Sequence, residues 1–494
     1  MEHDKNVTRL IEYEQSPIVF IGDMWGLYPL KEGEEFIKGK HISPDQLKLL
    51  TAVELALARV EPPRISAASG HGCHAKGTEV LMYNGDNKKV EDVEAGDLLM
   101  GDDSTPRKVS GLCRGREKMY EVKYVFGESY IVNESHILSV VATQSHGRQR
   151  LGDVTNVSVR DYLCWSDRRK RTNVGYKAGV SYKKRRVLID PYVFGVWLAD
   201  GGSNDGRVYN PDKEIVDVLV DYGVTSSAWK GGCYNVGVKG LSKKLKRLGV
   251  RGDKHIPKEY LVNDRGIRLE LLAGLIDGDG YLGSGCYEIT QKREGLSNDI
   301  VQLARSLGFH CTIKKVRKEC VNNGVWGDYF RMTISRGVHL IPVKVERRKY
   351  KEKKGKNVRK NLRFKIKVSP LPIDDYYGFE LDRNHLYLLK DFTVTHNTGK
   401  STTLSWLIIW YLFTFFDSQI ACTAPTSSQL KDVLWKEISI WINKLPEGIK
   451  ECYDHTSSHV RMKVKPDSWF ARARTASKES PEALAGVHGE FVMM

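Results

Sequence analysis

The sequence predicts a multidomain chain: a β-rich unit and an α+β unit, set together inside an α/β unit that they split in two. Three observations carry this. Residues 66–72 read SAASGHG and residues 398–403 read TGKSTT; joined, they give ASGHGTGKST, close to the phosphate-cradling pattern G-x-x-x-x-G-K-[ST]. In the joined loop Ser69 stands where the first Gly is usual, Gly70 and Gly72 follow, Gly399 is the second motif glycine, Lys400 the lysine and Ser401 the hydroxyl. A loop that wraps a nucleotide cannot hold residues 73–397 as an insertion, so the insert has to leave before the loop can close. Charge is the second observation. Residues 1–72 and 398–494 hold 19 Lys+Arg against 21 Asp+Glu, whereas the insert holds 58 against 40. A basic insert in a near-neutral surround indicates two proteins with different partners, the insert being the one that meets nucleic acid. The third observation is a repeat: VFGVWLADGGS (193–203) and LLAGLIDGDGYL (271–282) place Asp200 and Asp279 about eighty residues apart, a spacing that suits two αβ half-domains in one chain.

Taken in order, ISPDQLKLLTAVELALARV has helical spacing of apolar residues, with Ser43 or Asp45 as cap. Pro62-Pro63 breaks that helix, and RISAAS reads as a short strand entering the phosphate loop. From Cys73 the chain alternates apolar and polar residues, with turns at Asn84-Gly85 and Gly101-Asp102, as a β-rich segment does. DRRKRTNVGYKAGVSYKKRR, from 167, is basic and reads as a junction or a DNA-facing arm. After the second repeat, NDIVQLARSLGF is a helix, and CTIKKV and YFRMTIS are strands. VERRKYKEKKGKNVRKNLRFKIKV (345–368) adds nonspecific phosphate affinity and leads back to β structure. After 397 come the loop and a buried helix in TGKSTTLSWLIIWYLFTFF, then strand and helix in SQIACTAPTSSQLKDVLWKEISIWI, then a β-rich stretch and a final strand at EFVMM. The apolar run Leu404 to Phe416 is too short to span a bilayer, so no membrane is expected as partner. The nine cysteines form no C-x-x-C pair, which argues against zinc and disulfide frameworks and for a reducing, cytosolic setting.

The edges of the insert carry reactive groups: Cys73 opens it, His396-Asn397 closes it, and the hydroxyl of Thr398 follows at once. With VEDVEAGDLLMGDD, NESHILSV and YYGFELDRNHLYLLKDFTVTHN, these edges resemble the blocks of inteins and the related hedgehog-type (Hint) autoprocessing domains. The resemblance implies that Cys73 attacks the preceding carbonyl, His136 protonates the departing amide nitrogen, Thr398 takes over the ester, and Asn397 cyclises with His396 donating to the leaving group. Asn133 stands where the family's Thr is usual, and Glu380 and His385 fall in the penultimate block. No cofactor is implied for splicing. The repeat resembles the LAGLIDADG (DOD-type) homing endonucleases, LLAGLIDGDG nearly letter for letter. That resemblance implies two helices packed along small residues, with Asp200 and Asp279 holding Mg²⁺ on double-stranded DNA. Asp277 is expected to be a helix-end residue. Lys254, in the K-x-I-P block GDKHIPKEY, is the candidate for the basic residue near the cleaved phosphate, with Lys292 as its counterpart in the second half.

The flanks resemble the ATPase domain of a phage terminase large subunit through the joined loop, TAPTSSQ and ARTASKESPEALAGVHG. They imply ATP and Mg²⁺ as cofactors of the spliced host, and viral DNA and other terminase or portal subunits as partners, in a phage-encoded protein of the host-cell cytosol. Gln46 falls where many motor ATPases place a glutamine against adenine; a solvated helix residue is the competing reading. The chain stops before the Walker B acids that would follow EFVMM. The expected domains are host 1–72, splicing 73–167, endonuclease 168–345, splicing 346–397 and host 398–494. Two other readings, a P-loop ATPase with a splicing-inactive regulatory insertion and a DNA-binding protein without cleavage, leave the reactive residues at the breakpoints or the halved loop unexplained.

Overall fold

A computed structural model describes residues 2–29, 41–42, 44–58, 73–125, 127–146, 149–319, 326–351, 362–396, 400–424, 434–456, 459–475 and 492–493. The described residues fall into three units, each with its own core.

The splicing unit is knitted from both ends of the insert. Strand Pro106–Tyr124 pairs antiparallel with Ile366–Leu381 from Ile366↔Tyr124 to Leu381↔Val109. The pairing slips between Pro370 and Ile373, where Pro370 and Pro372 lack the N–H that a ladder needs. Strand His74–Ala75 lies between Ile366–Leu381 and Ser129–Asn133. In a second sheet, Ile137–Ala142 pairs with Val154–Ser158, with Asn173–Tyr176 and, at Ile137↔His396, with Val394–His396. Both expected turns form: Gly85 takes φ +89 with Asp86 N–H donating to Asn84 Oδ1 at 3.0 Å, and Ser104 N–H donates to the Gly101 carbonyl at 3.1 Å.

The basic stretch after 167, expected to be a junction or an arm, runs from the splicing unit to the second core. Asp167–Thr172 is a short helix and Asn173–Tyr176 a strand of the splicing sheet. Arg169 stacks 3.9 Å over Trp165, and Lys170 donates to the Leu163 carbonyl. The splicing unit therefore reaches past 167, because residues 173–176 form a strand of its sheet while Arg168, Arg169 and Arg171 stay exposed.

The endonuclease-like unit is pseudo-symmetric. Helix Pro191–Asp200 packs on helix Arg265–Asp279, and each half adds an antiparallel sheet: Arg207–Asn210, Cys233–Val238 and Val224–Lys230 in the first; Gly280–Gly283, Cys286–Gln291, Trp326–Ser335 and His310–Glu319 in the second. In the first half the opening strand is reduced to the bridge Gly201↔Val208. The core runs from Ile189 to Val345, with Tyr350 packed against it, so the strap after 341 belongs to this unit beyond the boundary expected at 345. Arg305–Glu128 at 2.7 Å and Lys258–Asp86 at 2.6 Å join it to the splicing unit.

The flanks share one core. Phe20, Ile21 and Leu50 from the N-terminal piece are buried with Trp406, Ile409 and Trp410 from the C-terminal piece. Trp25 packs against both Trp406 and Trp441, and Trp410 Nε1 donates to the Tyr13 carbonyl at 2.8 Å. Helix Lys400–Thr414 precedes strand Gln419–Ala424, which runs parallel to Phe470–Thr475 and to Val492–Met493. The expected helix over 44–57 and final strand form. The strand expected at RISAAS, and the loop residues Ser69, Gly70, Gly72 and Gly399, lie outside the described residues.

Candidate active sites

The first centre surrounds Cys73, which is fully buried. Its amide N–H, on the peptide bond expected to break, donates to Asn133 Oδ1 at 2.9 Å. Asn133 N–H returns a bond to the Cys73 carbonyl at 3.2 Å, and Asn133 Nδ2 donates to Glu117 at 2.5 Å. Asn133 thus supplies, with an amide oxygen, the hydrogen bond expected of the family's Thr. The Cys73 thiol lies over Gly378: a Cβ there would stand 2.2 Å from Sγ. Across the same strand Gly378 pairs with Cys113, and the two thiols hydrogen-bond over the glycine. Burial first, then Cys113 and Glu117, push the Cys73 thiol well above its ordinary range, so it rests as a neutral thiol.

Two histidines stand behind it. His74 and His136 meet edge to face with ring centres 4.8 Å apart. His74 Nε2 pairs with the Tyr387 hydroxyl at 2.6 Å, and burial holds its pKa down at about 3, so it stays neutral. His136 Nε2 pairs with Thr395 Oγ1 at 2.7 Å, on the strand that ends in His396. His396 is buried, its backbone paired with Leu386 and Ile137, its ring 5.8 Å from His385. The fold therefore brings Cys73, His136 and His396 into one interior. Asn397 and Thr398 lie outside the described residues. A buried ion pair, Lys177–Asp391, with Thr393 Oγ1 on the same carboxylate at 2.9 Å, fixes the turn before that final strand. Sequence reasoning missed it: a lysine in a basic stretch carries no signal of burial.

The second centre lies at the ends of the paired helices. Gly195 and Gly274 make the close approach possible: a Cβ on Gly195 would meet the Leu271 carbonyl at 2.3 Å, and one on Gly274 the Tyr192 carbonyl at 2.2 Å. This reciprocity is the signature of a pseudo-two-fold axis. Asp200 and Asp279 end the two helices beside it. Burial and the neighbouring Asp279 charge raise the Asp200 carboxyl to about 7, and Asn210 Nδ2 donates to it at 2.5 Å. Asp279 is open to solvent, yet the packed helices beneath it also push its pKa upward, and Gln291 Nε2 donates to it at 2.6 Å. Two carboxylates at the mouth of a packed helix pair fit a hard divalent cation such as Mg²⁺, which takes one or two carboxylates and fills its other positions with water and phosphate oxygens.

Lys254 is buried, and its Nζ donates to the carbonyls of Trp197, Leu198 and Gly201 at 2.9, 3.0 and 2.7 Å. Burial lowers its pKa to about 8. Asp277 is a helix-end residue, as expected: its carboxylate accepts from the Tyr192 hydroxyl at 2.8 Å and from Lys344 N–H at 2.6 Å. Lys292 is exposed. Arg348 also reaches the second helix end: its Nη2 donates to the Gly278 carbonyl at 3.0 Å. Nothing marks Arg348 in the sequence among the charges of VERRKYKEKK.

Comparison with known proteins agrees with both centres. Residues 73–176 match the family model described as Hom_end-associated Hint, and residues 255–358 match that of Homing endonuclease. The chain is 28% identical over 335 residues to the replicative DNA helicase DnaB of Mycobacterium intracellulare, covering 62% of this chain and 55% of that protein. It is 50% identical over 52 residues to the catalytic subunit of the V-type proton ATPase of Candida tropicalis, covering 10% of this chain and 5% of that protein. The chain thus spans about half, or far less, of the curated relatives it matches. Among solved structures, I-DmoI in complex with DNA and Ca is 12% identical, covering 30% of this chain and 82% of that chain, with a TM-score of 0.23. The gp41-1 intein is 17% identical, covering 18% of this chain and 81% of that chain, with a TM-score of 0.14. The chain carries a Hint splicing domain and a homing endonuclease domain, the equipment of an enzyme that combines autocatalytic splicing with DNA cleavage.

Proposed function

We propose that the chain is the precursor of a self-splicing intein, which excises residues 73–397, joins Gly72 to Thr398, and as a free insert cuts double-stranded DNA at a specific site. The observation that carries this reading is the convergence of Cys73, His136 and His396 in one buried interior. Cys73 Sγ attacks the Gly72 carbonyl and its proton passes to the departing Cys73 nitrogen, leaving a thioester. Asn133 orients that nitrogen, and His136, edge to face with His74 and bonded to Thr395, is the proton carrier. Thr398 Oγ1 attacks the thioester and returns the thiol to Cys73. The Asn397 side-chain nitrogen attacks its own carbonyl, cleaving the Asn397–Thr398 bond as a succinimide, with His396 donating the proton. An O-to-N shift restores the Gly72–Thr398 amide. Expressed whole under reducing conditions, the chain should yield by mass spectrometry a ligated host of about 170 residues and an insert of about 325. Intact precursor alone would refute the reading.

For the nuclease, Asp200 and Asp279 would hold Mg²⁺, which supplies electrophilic stabilisation at the scissile phosphates when bound. The target is the uninterrupted gene around the codons joining Gly72 to Thr398, a site that the insert itself destroys. The host here is read as a terminase-type ATPase of the phage-infected cytosol, binding ATP with Mg²⁺ and partnered by viral DNA and portal subunits. Its support is the TAPTSSQ and ARTASKESPEALAGVHG stretches, and a helix that opens at Lys400 and Ser401, where the first-turn amides would meet a phosphate.

A further inference from the structure

The nitrogen at the first junction is held by a side-chain amide, and an amide has two ends. Asn133 Oδ1 accepts from the Cys73 N–H at 2.9 Å. Turned over, the same side chain would set its NH₂ group against that N–H, donor against donor. Asn133 is fully buried, so water cannot make good the lost bond. A threonine hydroxyl in its place has no such choice to make, because its oxygen accepts while its hydrogen rotates to suit.

Glu117 makes the choice for Asn133. It lies on Pro106–Tyr124 two residues before Met119, which pairs with Asn133, so its side chain reaches past the end of Ser129–Asn133 to the turn that follows. Its Oε2 accepts from Asn133 Nδ2 at 2.5 Å, and its Oε1 accepts from Ser135 Oγ at 2.8 Å. The backbone closes the same turn: His136 N–H donates to the Asn133 carbonyl at 3.1 Å, and Glu134 N–H to the Lys118 carbonyl at 3.0 Å. An ionised carboxylate only accepts, so it takes Nδ2 and rejects Oδ1, which leaves the amide oxygen aimed at Cys73. The turn's other acid, Glu134, is engaged by the Tyr120 hydroxyl at 3.1 Å and by Arg160 at 3.4 Å. After burial and Cys113, Glu117 is a further influence that raises the Cys73 thiol. Its charge therefore works against the thiolate, and its contribution to the first step has to come through geometry.

Resting on the splicing reading above, we infer that Glu117 is a positioning residue for that step: it sets the orientation of the Asn133 amide, and through it the hydrogen bond to the nitrogen that leaves. The requirement comes with the asparagine. With threonine at 133 there is no amide to orient, and Glu117 becomes dispensable to the reaction.

The test is a double-mutant cycle on the full chain carrying Asn397→Ala, so that cleavage before Cys73 by dithiothreitol reads the first step alone. With Asn133 present, Glu117→Leu should slow this cleavage by about tenfold to a hundredfold, the cost of one lost buried hydrogen bond. Glu117→Gln, which still offers an acceptor to Nδ2, should stay within about threefold of the parent. In an Asn133→Thr background, Glu117→Leu should change the rate by less than about threefold. Equal slowing in both backgrounds, or no slowing in either, overturns the assignment. A second measurement needs no reaction. In ¹⁵N-labelled chain carrying Cys73→Ala and Asn397→Ala, the Asn133 side-chain NH₂ should exchange with solvent at least about tenfold more slowly with Glu117 than with Glu117→Leu. Equal exchange overturns the contact. If the parent shows this protection but no precursor cleaves with thiol, the splicing reading fails while the Glu117–Asn133 contact stands. Thermal midpoints, and release of the C-terminal flank from precursors carrying Cys73→Ala with Asn397 intact, separate these outcomes from misfolding.

Discussion

The splicing centre and the nuclease centre place the same kinds of groups in opposite settings. Around Cys73 the reacting atoms are sealed: thiol, His74 and His136 are buried, and residues from both ends of the insert meet where Pro106–Tyr124 pairs with Ile366–Leu381 and Ile137–Ala142 with Val394–His396. Around Asp279 the carboxylate opens to solvent at the mouth of a pseudo-symmetric helix pair. The difference follows from the substrate. A chain that cuts and rejoins itself once brings its substrate along by folding, and a dry interior keeps water from the thioester. An enzyme acting on DNA must admit a large polyanion, so its carboxylates stay reachable while the helices beneath them shift their proton affinities.

The sharpest way to break the comparison is to disable one centre and watch the other. Asp279→Asn should abolish double-strand cutting, a loss of at least about a thousandfold, since a neutral amide cannot replace a metal-binding carboxylate. Yields of ligated host should be unchanged. Cys73→Ala should do the reverse for ligation. Loss of splicing in Asp279→Asn would show that the centres are coupled.

Next in size is the helix crossing. Gly274→Leu places a side chain where even a Cβ would meet the Tyr192 carbonyl at 2.2 Å, so the helices must part. Overpacking of this kind costs about 1–3 kcal/mol where side chains can yield, and backbone yields less. Cutting should fall below detection and the nuclease unit should lose its cooperative melt, with excision persisting. An intact melt at the wild-type midpoint would mean the crossing is looser than described.

Smaller again is Asn133→Ala. It removes the acceptor from the Cys73 N–H and leaves that buried donor without a partner, at about 1–3 kcal/mol. Thiol-induced cleavage before Cys73 should slow by about tenfold to a hundredfold, with Asn133→Thr recovering most of the rate. Equal rates in all three proteins would relegate Asn133 to scaffolding.

What the sequence made legible was the chemistry at chain positions. A cysteine, a His-Asn pair and two Asp-Gly helix ends can be found by spacing, because the reaction fixes their residue type and place. Strand and turn positions were equally readable where Asn84-Gly85 or a final EFVMM imposed them. What stayed hidden were partners chosen by tertiary proximity. Lys177 and Asp391, more than two hundred residues apart, pair in a core that no periodicity announces. Arg348 looks like its lysine neighbours until the strap folds over Gly278. The basic stretch after 167 shows the same limit: its charges do face solvent, but the backbone that carries them runs through the splicing unit as a helix and a strand, which charge density does not announce.

The smallest expected effect is a pH profile, and it tests the open centre alone. Asp200, raised to about 7, is mostly protonated below that value and cannot hold Mg²⁺; cutting should rise as pH climbs through 7. Lys254, lowered to about 8, loses its charge above that value, and cutting should fall again. At limiting Mg²⁺ the two limbs make a narrow bell, with about a fivefold to tenfold loss one unit outside either limb. Excess Mg²⁺ competes with the proton on Asp200, so it should move the acid limb downward and leave the alkaline limb in place. Lys254→Arg should remove the alkaline limb, since guanidinium stays charged. Stability should follow the same groups with a definite sign. An acid whose folded pKa is raised binds more protons when folded than unfolded, so its contribution worsens as pH rises from about 4 to about 7. Asp200→Asn should therefore raise the metal-free melting temperature at pH 8 and leave it unchanged at pH 4. The splicing centre predicts no such bell from these carboxylates, because Asp200 and Lys254 lie in the other unit. If excision shows the same two limbs, and Asp200→Asn erases them, the two centres are not independent.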